Sequence, residues 1–123
     1  MVQNEAQLWK YLKKNSPNIR WTRLENTASL GTPDLLAVNK NNTFFTVELK
    51  VTKRSNNKLS FSPHQLAFHI KHPQNTFILA MQLLDQSLKL YEGSQIELLA
   101  TRGMKLDARC EGLADCVGKL EAV

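Results

Sequence analysis

The chain has few cysteines and no long apolar run, and these two features limit the classes of protein to which it can belong. Only Cys110 and Cys116 occur among 123 residues, and their spacing fits neither a CxxC pair nor a Cys/His zinc site. We expect two reduced structural thiols. No apolar run is long enough to span a membrane, and the N-terminus shows no signal-peptide pattern. We therefore expect one domain (1–123) in the cytoplasm, intracellular rather than secreted, with no membrane partner.

Several kinds of catalytic site are also missing from the sequence. There is no Gly-rich phosphate loop and no Ser/His/Asp arrangement. The three histidines, His64, His69 and His72, fall in one predicted helix. His69 and His72 have i, i+3 spacing, but no third zinc ligand accompanies them. We expect neither a zinc site nor a small-molecule cofactor.

Acidic residues are scarce in the first part of the chain. Residues 1–71 contain eleven Lys and Arg against four acids, whereas residues 72–123 contain five against seven. Three of those four acids are Glu5, Asp34 and Glu48. A positive surface with few acids suits a protein that binds phosphate backbones and has a metal site. A solvated basic face without a partner is the alternative that charge alone leaves open.

Periodicity predicts the order α-β-β-β-α-β-β-α, an α/β (α+β) domain with a mixed central sheet flanked by helices. The predicted elements are a helix over 4–15, a strand over 19–24, a hairpin over 34–51, a helix from 62 to about 72, strands over 76–84 and 88–91, and helices near 95–102 and 113–120. Ser94 is the expected cap of the helix near 95–102. We expect Leu88–Tyr91 to be an edge strand. In the helix that starts at Ser62, we expect Leu66, Ala67 and Ile70 to be buried, with Gln65 and His69 on its flanks.

The hairpin carries the most informative pattern. Its second strand alternates, so Glu48 and Lys50 project together from one face, while the other face is apolar. A short loop centred near Asn41 would place Asp34 across from Glu48, and a slip of one residue would break this arrangement. An exposed cross-strand ion pair is the structural alternative.

These residue types suit phosphodiester hydrolysis. Two carboxylates on adjacent strands, Asp34 and Glu48, form a partial cage for Mg²⁺, which prefers oxygen ligands and activates water. Lys50 could hold that water or neutralise charge on the phosphate. The basic connection over 52–62 leaves the same strand, so it is either a phosphate-contacting loop or a mobile one.

Two short motifs match a known family. Gly31-Thr32-Pro33-Asp34-Leu35 and Glu48-Leu49-Lys50, with Asp34 fourteen residues before Glu48, resemble the signature of the PD-(D/E)xK nuclease superfamily. The likeness covers about residues 4–84, and the extension 85–123 matches nothing specific. Holliday junction resolvases of the archaeal and phage type also have an early helix glutamate, here Glu5. VRR-type nucleases also have a helix with Gln-x-x-aromatic-His, here over 65–69.

The resemblance implies a restriction-endonuclease-like core and a metal site. Asp34, Glu48 and the carbonyl of Leu49 would bind Mg²⁺ or Mn²⁺, and Glu5 would complete the shell. On position alone, however, Glu5 is a helix-start acid, and Glu25 is its rival as ligand.

The resemblance also implies roles for Lys50, Gln65 and Ser29, and DNA contacts are expected from a larger set of residues. Lys50 would position the nucleophilic water, and Gln65, otherwise a polar residue on a helix face, would support the site. Ser29 is an approximate match to a catalytic serine of the resolvases. The expected DNA contacts are Lys10, Lys13, Lys14, Arg20, Arg23, Ser29, Lys53, Arg54 and Lys58.

The sequence therefore predicts a Mg²⁺-dependent DNA endonuclease, structure-selective for branched DNA such as four-way junctions. Two symmetric cuts imply a homodimer, formed through the strand Leu88–Tyr91 or the C-terminal helices. One alternative is a VRR-type or repair/restriction-like nuclease on flap or duplex DNA. Another is a DNA-binding module without catalysis, although a module of that kind has no need of acids beside phosphate.

Overall fold

Six strands in the described parts of the chain form one mixed sheet, and helices pack on both of its faces. The computed structural model describes residues 1–24 and 31–123. In chain order the elements are α1 (Glu5–Lys14), β1 (Arg20–Arg23), β2 (Leu35–Val38), β3 (Phe44–Thr52), α2 (Pro63–Lys71), β4 (Thr76–Gln82), β5 (Ser87–Glu92), α3 (Ile96–Arg102), β6 (Cys110–Glu111) and α4 (Leu113–Glu121). Short 3-10 turns, Gly93–Gln95 and Gly103–Lys105, flank α3. The expected mixed sheet with flanking helices is confirmed.

Strand order in the sheet follows chain order from β1 to β6. The β3–β4 pair is parallel, with α2 as its crossover, and the other neighbours are antiparallel. The prediction that β5 is an edge strand is wrong, because β6 pairs with it through Lys89–Glu111 and Leu90–Cys110. A two-residue strand is too short to show period-two alternation, so the sequence does not reveal it.

Polar side chains cap the first two helices. The Asn4 side chain accepts a hydrogen bond from the backbone N–H of Gln7 at 2.8 Å, and α1 begins there. Ser62 and Gln65 form a reciprocal capping box at the start of α2. The cap expected at Ser94 is wrong, since a 3-10 turn leads into α3 and no side chain caps that helix.

The sheet separates two apolar layers. On one face, α1 and α4 cover a core that includes four aromatic rings packed edge to face, with centroids 5.9 to 6.0 Å apart. These rings are Trp9, Trp21, Phe45 and Phe77. On the other face, α3 packs over a smaller cluster, with Leu66 of α2 at its margin. All seven residues of β4 are buried, as expected for a central strand covered on both faces.

The buried side of α2 differs from the prediction. His69 is fully buried and Gln65 half-buried, whereas Ala67 is exposed and Ile70 is 54% exposed. Residues at i and i+4 share a helix face, so Gln65 and His69 turn toward the sheet together. Hydrogen bonds compensate for burying these polar groups, and hydrophobicity alone does not predict them.

Two glycines should respond oppositely to the same substitution. Gly103 has φ +64° and ψ −154°, and an added Cβ would lie 2.1 Å from the Asn57 carbonyl oxygen. We expect Gly103→Ala to lower the free energy of unfolding by about 1–3 kcal/mol or more. Gly118 lies inside α4 with open space around it, so Gly118→Ala should raise that free energy by roughly 0.5–1 kcal/mol. Urea denaturation measures both values, and wild-type stability of Gly103→Ala would contradict the backbone argument.

Candidate active site

The hairpin register brings the two central acids together. Leu35 pairs with Val47 across β2 and β3, which places Asp34 beside the backbone that follows Val47. The Asp34 carboxylate accepts a hydrogen bond from the backbone N–H of Leu49, with 2.8 Å between Oδ2 and N. The predicted proximity of Asp34 and Glu48 is therefore what the fold shows.

The carboxyl group of Glu48 is almost fully buried, which is unusual for an acidic side chain. Its side chain is 2% exposed, and Oε1 has no hydrogen-bond partner in the part of the chain that the structure describes. Burial and, after it, the nearby Asp34 carboxyl together raise the pKa of Glu48 from 4.5 to about 9, although Lys50 acts in the opposite direction. Two ionised carboxylates cannot hydrogen-bond to each other, so this pair needs a shared proton or a cation.

Gln65 connects Glu48 to Lys50. Its Nε2 donates to Glu48 Oε2 at 3.3 Å, and its Oε1 accepts from Lys50 Nζ at 3.0 Å. The ammonium of Lys50 also lies 5.0 Å from the centre of the Phe61 ring, a cation–π distance. Lys50 is thus held beside the acids through an amide bridge and an aromatic ring.

Glu5 lies near this cluster without joining it. It is the first residue of α1 and lines a small cavity of about 50 Å³ together with Asp34 and Leu49. Partial burial raises the pKa of Glu5, Asp34 raises it further, and Lys50 lowers it. Within residues 1–24 and 31–123, no three His, Cys, Asp or Glu side chains converge to hold one ion. The roles of Glu5 and the Leu49 carbonyl as ligands therefore stay predictions.

The ligand atoms available at the acid pair suit a hard divalent cation. Asp34 and Glu48 supply carboxylate oxygens, and within residues 1–24 and 31–123 the buried Glu48 Oε1 has no hydrogen-bond donor. Mg²⁺ and Mn²⁺ prefer such oxygen ligands, often with only one or two carboxylates and several waters. These two residues are the part of the predicted ligand set that the fold brings together.

The predicted DNA-contact residues divide into two groups. Arg23 lines the small cavity beside Asp34, and a larger cavity of about 380 Å³ next to Glu5 and Lys50 is lined by three further predicted contacts, Lys53, Arg54 and Lys58. The remaining described residues lie farther away. Lys13 and Lys14 are roughly 12–14 Å along α1 from Glu5, and Arg20 is about 10 Å along β1 from Arg23.

Lys10 is the remaining predicted contact in the described ranges, and it lines a different groove, with Tyr11 and Met81. In the described ranges, salt bridges join only Lys89 to Glu111 and Arg109 to Glu92. The predicted contacts that the structure describes therefore form no ion pair with a carboxylate there. Glu25 and Ser29, the other two predicted site residues, lie outside the described residues.

Two residues near the site were missed or misplaced by sequence reasoning. Phe61 precedes the N-cap of α2, a hydrophobic-staple position, and it packs with Leu66 against the smaller core, so that motif was an available signal. His69 is buried, its Nδ1 donates to the Gln65 carbonyl at 2.9 Å, and its Nε2 has no partner in the described residues. Burial lowers the pKa of His69, so its ring is neutral.

Comparison with protein-family models, with curated proteins and with solved structures finds no match for this chain. No helix within the described ranges has the length and apolar character needed to cross a membrane. The functional interpretation therefore rests on the chemistry of the chain's own residues.

The raised pKa of Glu48 predicts how pH affects stability without metal. The folded chain keeps a proton that the unfolded chain releases above pH 4.5, so this contribution to stability is full below pH 4.5 and is lost as pH rises toward about 9. Glu48→Gln stays neutral throughout. In EDTA, we expect its melting temperature to fall less than that of the wild type between about pH 5 and pH 9.

A matched variant controls for the change from acid to amide. Glu97→Gln makes the same replacement on the exposed side of α3 and should follow the wild-type pH profile. Parallel profiles for Glu48→Gln and the wild type would show that the Glu48 carboxyl is not protonated in the folded chain.

Proposed function

We propose that this chain is a Mg²⁺- or Mn²⁺-dependent endonuclease that hydrolyses phosphodiester bonds in DNA. One observation carries the proposal: the buried Glu48 carboxyl lies beside Asp34, its Oε1 has no hydrogen-bond partner among the described residues, and Gln65 connects the carboxyl to Lys50. A buried carboxyl beside a half-buried acid and a fixed ammonium is a destabilising arrangement for a purely structural role.

Each residue of the site would have its own role in hydrolysis. Asp34 and Glu48 would hold the ion, which when bound supplies positive charge to the phosphate and lowers the pKa of water. Gln65 keeps the Glu48 carboxyl oriented through Nε2. Lys50 has three N–H donors and uses one for Gln65, which leaves two for a water molecule or a phosphate oxygen.

The distribution of charge supports DNA as the partner. Cations line cavities on both sides of Glu5, with Arg23 on one side and Lys53 and Arg54 on the other. Contacts to phosphates position a nucleic acid without reading its sequence. This favours selection by shape, as in a resolvase acting on branched DNA. The inward-facing pair Gln65 and His69 favours instead the VRR-type alternative, which would act on flap or duplex DNA.

The remaining parts of the proposal concern assembly and location. A homodimer would present two sites for symmetric cuts. Because β6 covers part of β5, we place the dimer contact on the C-terminal helices rather than on β5. Cys110 and Cys116 carry free thiols in the structure, which agrees with a reducing cytoplasmic setting.

Cleavage assays with matched lysine variants test the proposal. Labelled four-way junction, flap and linear duplex DNA would be incubated in Mg²⁺ with the wild type, Glu48→Ala, Lys50→Met and Lys40→Met. We expect Lys50→Met to lower the cleavage rate about 100-fold or more, because the positioned ammonium that orients water or stabilises charge on the phosphate is lost. Lys40 lies in the exposed turn of the same hairpin, so Lys40→Met should cut at the wild-type rate.

The substrates separate the alternatives. Cutting of junctions alone supports a resolvase, and cutting of all three substrates supports a general nuclease. Intact DNA that binds tightly to the wild type, Glu48→Ala and Lys50→Met alike would show a binding module without catalysis.

A further inference from the structure

We propose that Gln82 is a positioning residue for nucleic-acid binding. Its buried amide holds the basic loop, residues 53–58, in a fixed conformation that receives backbone phosphates. The inference rests on the proposed function for the choice of DNA as ligand. It concerns a residue outside the acid pair and outside the predicted contacts.

Gln82 is the last residue of β4 and lies on the sheet face that carries the candidate site. In the parallel β3–β4 register, Glu48 pairs with Ile78, Lys50 with Ala80 and Thr52 with Gln82. Gln82 is 5% exposed. A buried amide at the end of this row therefore lies directly under the loop that continues from β3.

The amide of Gln82 is occupied by that loop and by the following turn. Its Nε2 donates to the Arg54 carbonyl at 2.8 Å and to Asn57 Oδ1 at 3.0 Å, so both amide protons are used within the loop. Its Oε1 accepts from the backbone N–H of Leu84 at 3.1 Å. Removing these bonds would take one of two donors from the Arg54 carbonyl and the Gln82 donor from Asn57 Oδ1, which destabilises the loop.

Other contacts fix the same loop conformation. The backbone N–H of Arg54 donates to Thr52 Oγ1 at 3.1 Å, and that of Asn57 donates to the Arg54 carbonyl at 3.0 Å. The backbone N–H of Met104 donates to the Asn57 carbonyl at 2.9 Å. Gly103 packs so closely on that carbonyl that a Cβ would not fit. The structure thus shows a loop held by several hydrogen bonds rather than a free connection.

The loop presents cations that the rest of the described chain leaves unpaired. Lys53 and Arg54 are exposed, form no salt bridge within the described ranges, and line the 380 Å³ cavity with Lys50. Lys58 donates through Nζ to the Thr101 carbonyl at 3.1 Å, at the end of α3. A loop that is ordered before binding loses less entropy when phosphates arrive, which raises affinity.

A matched pair of glutamine variants tests the role of Gln82. Gln82→Met keeps the side-chain length and the net charge but removes its hydrogen bonds. Gln86→Met is the control, because Gln86 also makes three hydrogen bonds, to Val2 and Leu83, away from the loop. The probe is fluorescein-labelled four-way junction DNA in Ca²⁺, with anisotropy followed over a range of NaCl concentrations.

We expect Gln82→Met to weaken binding about three- to tenfold at each salt concentration. The salt slope should be unchanged, because every cation is retained. Hydrogen exchange at residues 54–58 should become faster in Gln82→Met and stay unchanged in Gln86→Met, whose affinity should match the wild type. If Gln82→Met does not fold, Thr52→Val, which removes the acceptor for the Arg54 N–H, should show the same change to a smaller degree.

Three results separate this inference from the proposed function. Wild-type affinity in Gln82→Met, whether or not the loop exchanges faster, would overturn the positioning role and leave the nuclease untouched. Weaker binding in Gln82→Met with no cleavage by any protein in Mg²⁺ would uphold the inference and overturn the nuclease. Absence of DNA binding by the wild type would overturn both.

Discussion

The structure depends on one costly constraint, the burial of the Glu48 carboxyl inside a sheet beside a second acid. A buried carboxylate needs hydrogen bonds or a counter-charge, and Glu48 has one amide donor and a neighbour of its own sign. A proton satisfies it below about pH 9, and a divalent cation that displaces this proton would do so in its place. Stability given up at this point is characteristic of a site maintained for binding rather than for folding.

Gln65 makes the geometry around that acid rigid. Its Oε1 accepts from the Ser62 backbone N–H within the capping box and also from Lys50, while its Nε2 reaches Glu48. The same amide therefore defines where α2 begins and how the two charged groups of β3 are oriented. Sites that are built on strands and helix starts hold their geometry better than sites on free loops.

Sequence could predict the parts of this arrangement that have local signals. Alternation along β3 and the short turn set the hairpin register, which places Asp34 beside Glu48. The inward orientation of Gln65 and His69 is the opposite of what the hydrophobic pattern of α2 predicts. Hydrogen bonds, rather than buried apolar area, offset the cost of placing these polar side chains inside. Gln82 lies in an apolar run, and its partners are 25 and 28 residues away, so no local pattern reveals its role.

In the proposed nuclease, the placement of charge would link metal binding to DNA placement. Glu5 lines two cavities, one with Arg23 and Asp34 and the other with the basic loop, so a strand that contacts both would pass close to Glu5. The exposed cations are screened by salt, whereas the buried Glu48 carboxyl is screened much less once it is ionised. An ionised acid pair disfavours a nearby phosphate, and a bound cation would offset that charge. Cations at a distance would attract the backbone first, and a bound divalent ion would then allow the scissile phosphate to approach Glu48.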